Sequence, residues 1–268
     1  MSVENEKEIQ QLKNRIRELA DKSYNQNQYT FTGFLGLAEQ DALWQVEREV
    51  KFAGITLYGG REEAERKILR FGSEAELGYE QPFPICCIRI RPLSAKFADK
   101  LSHRDYLGAL MNLGIERSTI GDILPGEGEA FLFCQDTIAE FICDNLEQIR
   151  HTHVKCEVVD AAAEVPQEEP VRQVIQVASP RVDAVISKVY NKSRSDCLEL
   201  FRAGKVYVNG RLCENNSKPL EAGDVVNARG YGKFRISGEP HATRKGKLAI
   251  VITYSRLDRL LSMQRWQI

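Results

Sequence analysis

Residues 193–211 read SRSDCLELFRAGKVYVNGR, which sets Arg194, Arg202, Lys205 and Arg211 around one glycine and one Asn-Gly pair. Guanidinium groups fork onto oxyanions through two parallel N–H bonds, and an ammonium adds a compact point charge. A helix capped by Ser193 or Ser195 adds unpaired backbone N–H groups aimed outward, the arrangement that receives a phosphate. Arg194 in its first turn opposes the helix dipole, a small cost to the fold and a useful feature in an anion site. Asn209 and Gly210 let a tight turn approach another backbone closely. Arg181 lies upstream, at the start of a preceding helical stretch. Downstream, RGYGKFR contributes Arg229, Lys233 and Arg235, and TRKGK contributes Arg244, Lys245 and Lys247. The chemistry these residues share is phosphate binding. Tyr231 stands among them with a ring able to stack on a base, although packing in the core or a hairpin is the better explanation.

Other residue sets fit their chemistries less well. His103-Arg104-Asp105 has the letters of a kinase catalytic loop, but Leu110 stands where the second metal-binding Asn belongs, and the other kinase motifs are missing. The same residues suit a helix cap. His151, His153 and Cys156 lack a fourth ligand at metal-site spacing, so no metal is expected. Gly126 and Gly128 precede a strand rather than follow one, so they read as a turn and not as a nucleotide loop. No cofactor motif stands out. Asp105 is the one candidate for a catalytic carboxylate, in a pseudouridine-synthase-like alternative, and it falls within a helical pattern. No catalytic residue is assigned.

The elements that would position the basic residues follow from periodicity and punctuation. Val182, Val185, Ile186, Val189 and Tyr190 make an apolar helical stripe. SRSDCLELFRAG is a short helix with Leu198 and Phe201 inward and Gly204 placed for a left-handed C-cap. KVYV, Asn209-Gly210 and RLC form a hairpin with a type I′ turn. LEAGDVVNA, GYGKFRIS and LAIVITY add strands. Upstream, residues 82–160 alternate as strand, helix, strand, strand, helix, strand: 85–93, 103–114, 119–124, 129–135, 136–150 and 154–161. That order is the ferredoxin-like pattern. Phe131 and Phe133 share a face of its third strand, where an RNA-recognition sheet carries aromatics, but the first strand offers none. Residues 6–23, 38–50 and 62–72 read as helices, and AAAEVPQEEP (161–170) as an acidic linker.

Charge divides the chain. Residues 171–268 hold 18 Lys and Arg against 8 Asp and Glu, a net of +10, while residues 1–170 carry −11. The basic end therefore calls for a polyanionic partner that the rest does not share. Residues 76–160 hold 8 basic and 14 acidic residues, a poor surface for a nucleic acid. No apolar run approaches the roughly 18 residues of a membrane span. The opening MSVENEKEIQQLKNRIREL is charged throughout, unlike a signal peptide, and the seven scattered cysteines read as reduced core residues. A cytoplasmic location is expected.

Arg181-Val182-Asp183, Ser193-Arg194-Ser195, Gly204-Lys205-Val206, Val208-Asn209-Gly210, Pro219 and Gly223-Asp224 together resemble the RNA-binding domain first seen in ribosomal small-subunit protein S-four. TFTGFLGLAEQ, YGGREEAERKI and HRDYLGALMNLGIERSTIGDI extend the match, in order, to the bacterial YlmH family. This resemblance implies structured RNA as partner, ribosomal RNA or tRNA, on the large ribosomal subunit, and a role in rescuing stalled translation. The expected fold is α+β: a mainly helical region at 1–78, a ferredoxin-like domain at 79–160, a linker at 161–170 and an S-four-type domain at 171–268. The chain is expected to be a monomer that binds RNA without catalysis.

Overall fold

The computed structural model describes residues 3–94, 99–126, 128–166, 170–243 and 246–254. Contacts divide it into two units, Met1–Val165 and Pro166–Ile268. The first begins with α1 (Val3–Gln26), β1 (Thr30–Leu35), α2 (Leu37–Val50), β2 (Ile55–Tyr58), β3 (Lys67–Phe71) and the single turn α3 (Glu74–Leu77). Ile16, Leu19 and Ala20 of α1 and Leu43, Val46 and Val50 of α2 bury their stripes on Leu35, Leu69 and Phe71. The three strands form an antiparallel sheet in the order β1-β3-β2.

One expectation fails here. The stretch 62–72 is not a helix: Lys67–Phe71 is the central strand of that sheet. Periodicity cannot separate a short apolar run of this kind from a buried helix segment. The strand is favoured because both of its faces are used. Leu69 and Phe71 enter the helical core while Ile68 enters a second one.

That second core joins the first sheet to the next. β4 (Ile85–Pro92), α4 (His103–Asn112), β5 (Ile120–Pro125), β6 (Ala130–Gln135), α5 (Asp136–Asn145), β7 (Gln148–Ile149), β8 (Thr152–Val159) and the one-turn α6 (Ala161–Glu164) complete the unit. The sheet order β5-β6-β4-β8-β7 is the ferredoxin-like order with one short strand added at its edge. The helix expected over 136–150 stops at Asn145, and Gln148–Ile149 pairs with β8 instead. Ile88, Ile90 and Leu132 face α4 and α5. On the other face, Cys87, Phe131 and Phe133 pack with Phe34 and Ile68 of the first sheet. Backbones come close here. A Cβ on Gly33 would lie 2.7 Å from the Ser118 carbonyl oxygen, and one on Gly60 2.3 Å from the Phe133 ring.

The second unit holds β9 (Val171–Val177), α7 (Val182–Val189), α8 (Arg194–Arg202), β10 (Val206–Val208), β11 (Arg211–Leu212), β12 (Val225–Ala228), β13 (Gly232–Ile236), β14 (His241–Ala242) and β15 (Leu248–Tyr254). Its seven-stranded sheet runs β11-β10-β12-β13-β15-β14, with β9 paired along the whole of β15. Val182, Val185 and Ile186 of α7 and Cys197, Leu200 and Phe201 of α8 cover one face of it. Cys197 and Leu200 are buried and Leu198 is only half-buried, so the inward stripe of α8 sits one position off the expected Leu198. Among the described residues, no helix is long and apolar enough to cross a membrane.

Candidate nucleic-acid interface

The α8 start is built by two serines. Ser193 is the N-cap: its Oγ accepts from Asp196 N at 3.1 Å, and Asp196 Oδ2 accepts from Ser193 N at 3.3 Å, closing a capping box. Ser195 Oγ lies 2.8 Å from Ser193 Oγ and adds to the cap. The next amides in the turn, of Arg194 and Ser195, have no intrahelical partner in any helix, and the Arg194 side chain is exposed beside them. At the other end Gly204 takes φ +60°, and Lys205 N donates to Leu200 O at 2.9 Å. Lys205 O in turn accepts from Arg229 N at 2.8 Å. Exposed Arg202, Lys205 and Arg229 thus lie where α8 and β12 end and β10 begins.

Other expected residues are held differently. Arg181 Nε and Nη2 donate to the Asp183 carboxylate at 3.0 and 2.6 Å. That pairing raises the guanidinium pKa and leaves less net charge for an outside anion. Asn209 and Gly210 have φ +53° and +75°, as a type I′ turn requires. The Asn209 amide also donates to Asp224 Oδ1 at 2.7 Å and accepts from Val225 N at 2.8 Å, so it ties the hairpin to β12. Arg211 is exposed just beyond the turn. Lys233 and Arg235 alternate with Phe234 and Ile236, which are in the core beneath α7 and α8, so they point to the opposite face of the sheet. Lys247 is exposed in the β14–β15 turn, its N donating to Thr243 Oγ1 at 3.1 Å. Arg244 and Lys245 lie outside the described residues.

One residue absent from the sequence-based set belongs with the interface. Lys192 immediately precedes the α8 cap, and its Nζ stands 5.0 Å from the centroid of the Tyr231 ring. Only the Lys-Ser-Arg-Ser run hinted at Lys192, and nothing local linked it to a tyrosine 39 positions later.

The first unit uses its distinctive motifs for internal packing. The Asp122 carboxylate accepts from Glu65 N and Arg66 N at 2.8 and 3.0 Å. Arg66 donates through Nε to Ile120 O at 2.9 Å and through Nη2 to Phe34 O at 2.7 Å and Arg117 O at 3.2 Å. Burial and the neighbouring Arg66 push Arg117 down to about 10. TFTGFLG, YGGREEAER and ERSTIGD therefore converge on one junction. Phe131 and Phe133 are only 4% and 1% exposed beneath it, so they present no stacking surface. Asp105 accepts from Ser102 N and Oγ at 2.8 and 2.7 Å as the α4 capping box, and these bonds lower its pKa. Among the described residues, no group of three or more His, Cys, Asp or Glu is arranged to hold a metal ion.

Two family models match this chain. Residues 79–163 match the family model described as "Putative RNA-binding domain in YlmH", and residues 180–226 match that of the S4 domain. The chain is 30% identical over 228 residues, 83% of its length, to the Ribosome-associated protein quality control protein P2 of Bacillus subtilis, covering 86% of that protein. Among solved structures, the cell division protein ylmH from Streptococcus pneumoniae aligns with a TM-score of 0.46 at 22% identity, over 62% of this chain and 97% of that one.

Proposed function

From the premise that this chain belongs to the YlmH family, we propose that it binds structured RNA on the large ribosomal subunit, without catalysis, in the rescue of stalled translation. The observation that carries the reading is the gathering of Arg202, Lys205 and Arg229 at one end of α8, with Arg194 at its start, within the segment 171–268 that carries +10. These cations suit ribosomal RNA and the backbone of a bound tRNA. The acidic first unit, whose sheet aromatics are buried, serves as a body that contacts protein or sets spacing. The protein acts as a monomer in the cytoplasm. The engagement of Asp105 in a helix cap favours this reading over an RNA-modifying enzyme.

Sucrose-gradient sedimentation tests it. Wild-type protein is expected with large subunits, and Arg194→Glu combined with Lys205→Glu is expected free of them. Each reversal removes a charge-assisted contact worth about 1.5–3 kcal/mol, so the pair should weaken binding by about two to four powers of ten. Both side chains are exposed, so melting of the variant should be nearly unchanged. Wild-type protein running free of subunits from stalled and cycling cells alike would refute the assignment. A nucleotide modification lost on deletion and restored by the wild-type protein but not by Asp105→Ala would instead establish the enzyme.

A further inference from the structure

We propose that Tyr231 is a stacking platform for an unpaired RNA base, and that Lys192 covers its ring until the base arrives. The inference rests on the RNA-binding reading above and adds a contact that reads single-stranded nucleotides. Tyr231 stands between two glycines in the left-handed region, Gly230 at φ +87° and Gly232 at φ +103°. It is thus presented on a tight turn that other residues adopt only with strain. Its backbone is fixed by Tyr231 N donating to Ala228 O at 2.8 Å. Beneath it, the Tyr190 ring lies 5.7 Å away at 42°, and Tyr190 Oη donates to Gly232 O at 2.8 Å. The ring is therefore rigidly backed and packed against the core, with part of its surface still exposed.

Its position is what points to RNA. Arg229, two residues before, meets Lys205 through the backbone, and Lys192 is adjacent to the Ser193–Ser195 helix start. Tyr231 thus bridges the two groups of phosphate-binding residues, where a base between two bound phosphates would lie. Lys192 Nζ, 5.0 Å from the ring centroid, holds the place of the base. A cation–π contact at a partly exposed site is weaker than base stacking on the same ring. The incoming base therefore displaces the ammonium, which then turns to the phosphate of the same nucleotide. Duplex RNA, with its bases already stacked, gains nothing from Tyr231.

The test uses the full-length chain and two RNA probes, a stem with a single-stranded loop and a blunt duplex of the same stem, titrated at several KCl concentrations. Tyr231→Leu keeps apolar bulk and removes the stacking face. It should weaken loop binding by about 5- to 100-fold, leave duplex binding unchanged and leave the salt slope unaltered. Tyr231→Phe should bind as wild type. Lys192→Ala should reduce the loop-RNA salt slope by about one contact's worth. 5-Iodouridine placed in the loop should photocrosslink wild-type protein at Tyr231, a readout that needs no variant to fold. Equal losses on both probes, no loss on either, or crosslinks only elsewhere would overturn the platform while the RNA reading stands. Wild-type protein that bound neither probe would overturn both.

Discussion

Asn209 shows how far one side chain can be committed to structure inside an expected binding site. Its amide joins Asp224 and Val225 while its backbone sits at φ +53°. The turn alone therefore accounts for it. Arg181 is similar, because its fork is filled by Asp183. The cysteines are the reverse case, reactive in type and inert in place. All seven are free thiols, with Cys87, Cys134, Cys156, Cys197 and Cys213 buried. Burial pushes Cys87 and Cys156 up to about 12 and Cys197 up to about 11. The thiolate is the reactive species, so a thiol reagent on native protein should modify at most Cys86 and Cys143, and slowly. Raising the pH from 7 to 8.5 should not recruit Cys87, Cys156 or Cys197, because it stays well below those values. Denaturant should release all seven. Rapid modification of Cys197 in native protein would contradict the packing of α8.

At the scale of elements, two glycines in similar-looking surroundings should behave oppositely. Gly33 lies in the bulge of β1, and an added Cβ would meet the Ser118 carbonyl at 2.7 Å. Gly33→Ala must push the strand off the 3-10 turn Arg117–Thr119 and should cost about 1–3 kcal/mol. Gly108 lies within α4, with nothing inside 4 Å of the added atom. Gly108→Ala should stabilise by about 0.5–1 kcal/mol through helix propensity and a less flexible unfolded chain. Chemical denaturation of both variants checks the pair. The contrast tests the junction itself, since Gly33 matters only if β1 rests against the ferredoxin-like domain. It also explains why the motifs in the first unit are specific: they satisfy each other's backbone groups across the join.

For the whole molecule, the split of charge predicts a split of binding. Residues 166–268 have a core of their own, from Ile175 to Ile252. That fragment should bind structured RNA with most of the affinity of the full chain, weakening steeply with salt as counterions are released. Residues 1–165, with the excess of acidic residues, should bind poorly at every salt concentration. Filter-binding titrations of both fragments decide this, and comparable affinities would mean that the first unit has a nucleic-acid surface outside its buried sheet face.

The sequence by itself determined whatever depends on neighbours along the chain. Ser193 as cap, Gly204 as helix stop, Asn209-Gly210 as turn and the strand-helix order of residues 85–159 are local conformational preferences, and all are present. So is the charge asymmetry, which needs no folding. The tertiary structure decided what depends on partners far away in sequence. Lys67–Phe71 is a strand because cores wait on both of its faces. Val171–Val177 was invisible as a strand until β15, more than 70 residues later, supplied its hydrogen bonds. Lys233 and Arg235 share a basic run with Arg229, yet strand alternation turns them to the other face of the sheet. Tyr231 and Lys192 meet only because β13 begins under the turn between α7 and α8. Local propensity acts over a few residues, whereas register, sidedness and long-range contact are fixed only when apolar surfaces close on one another.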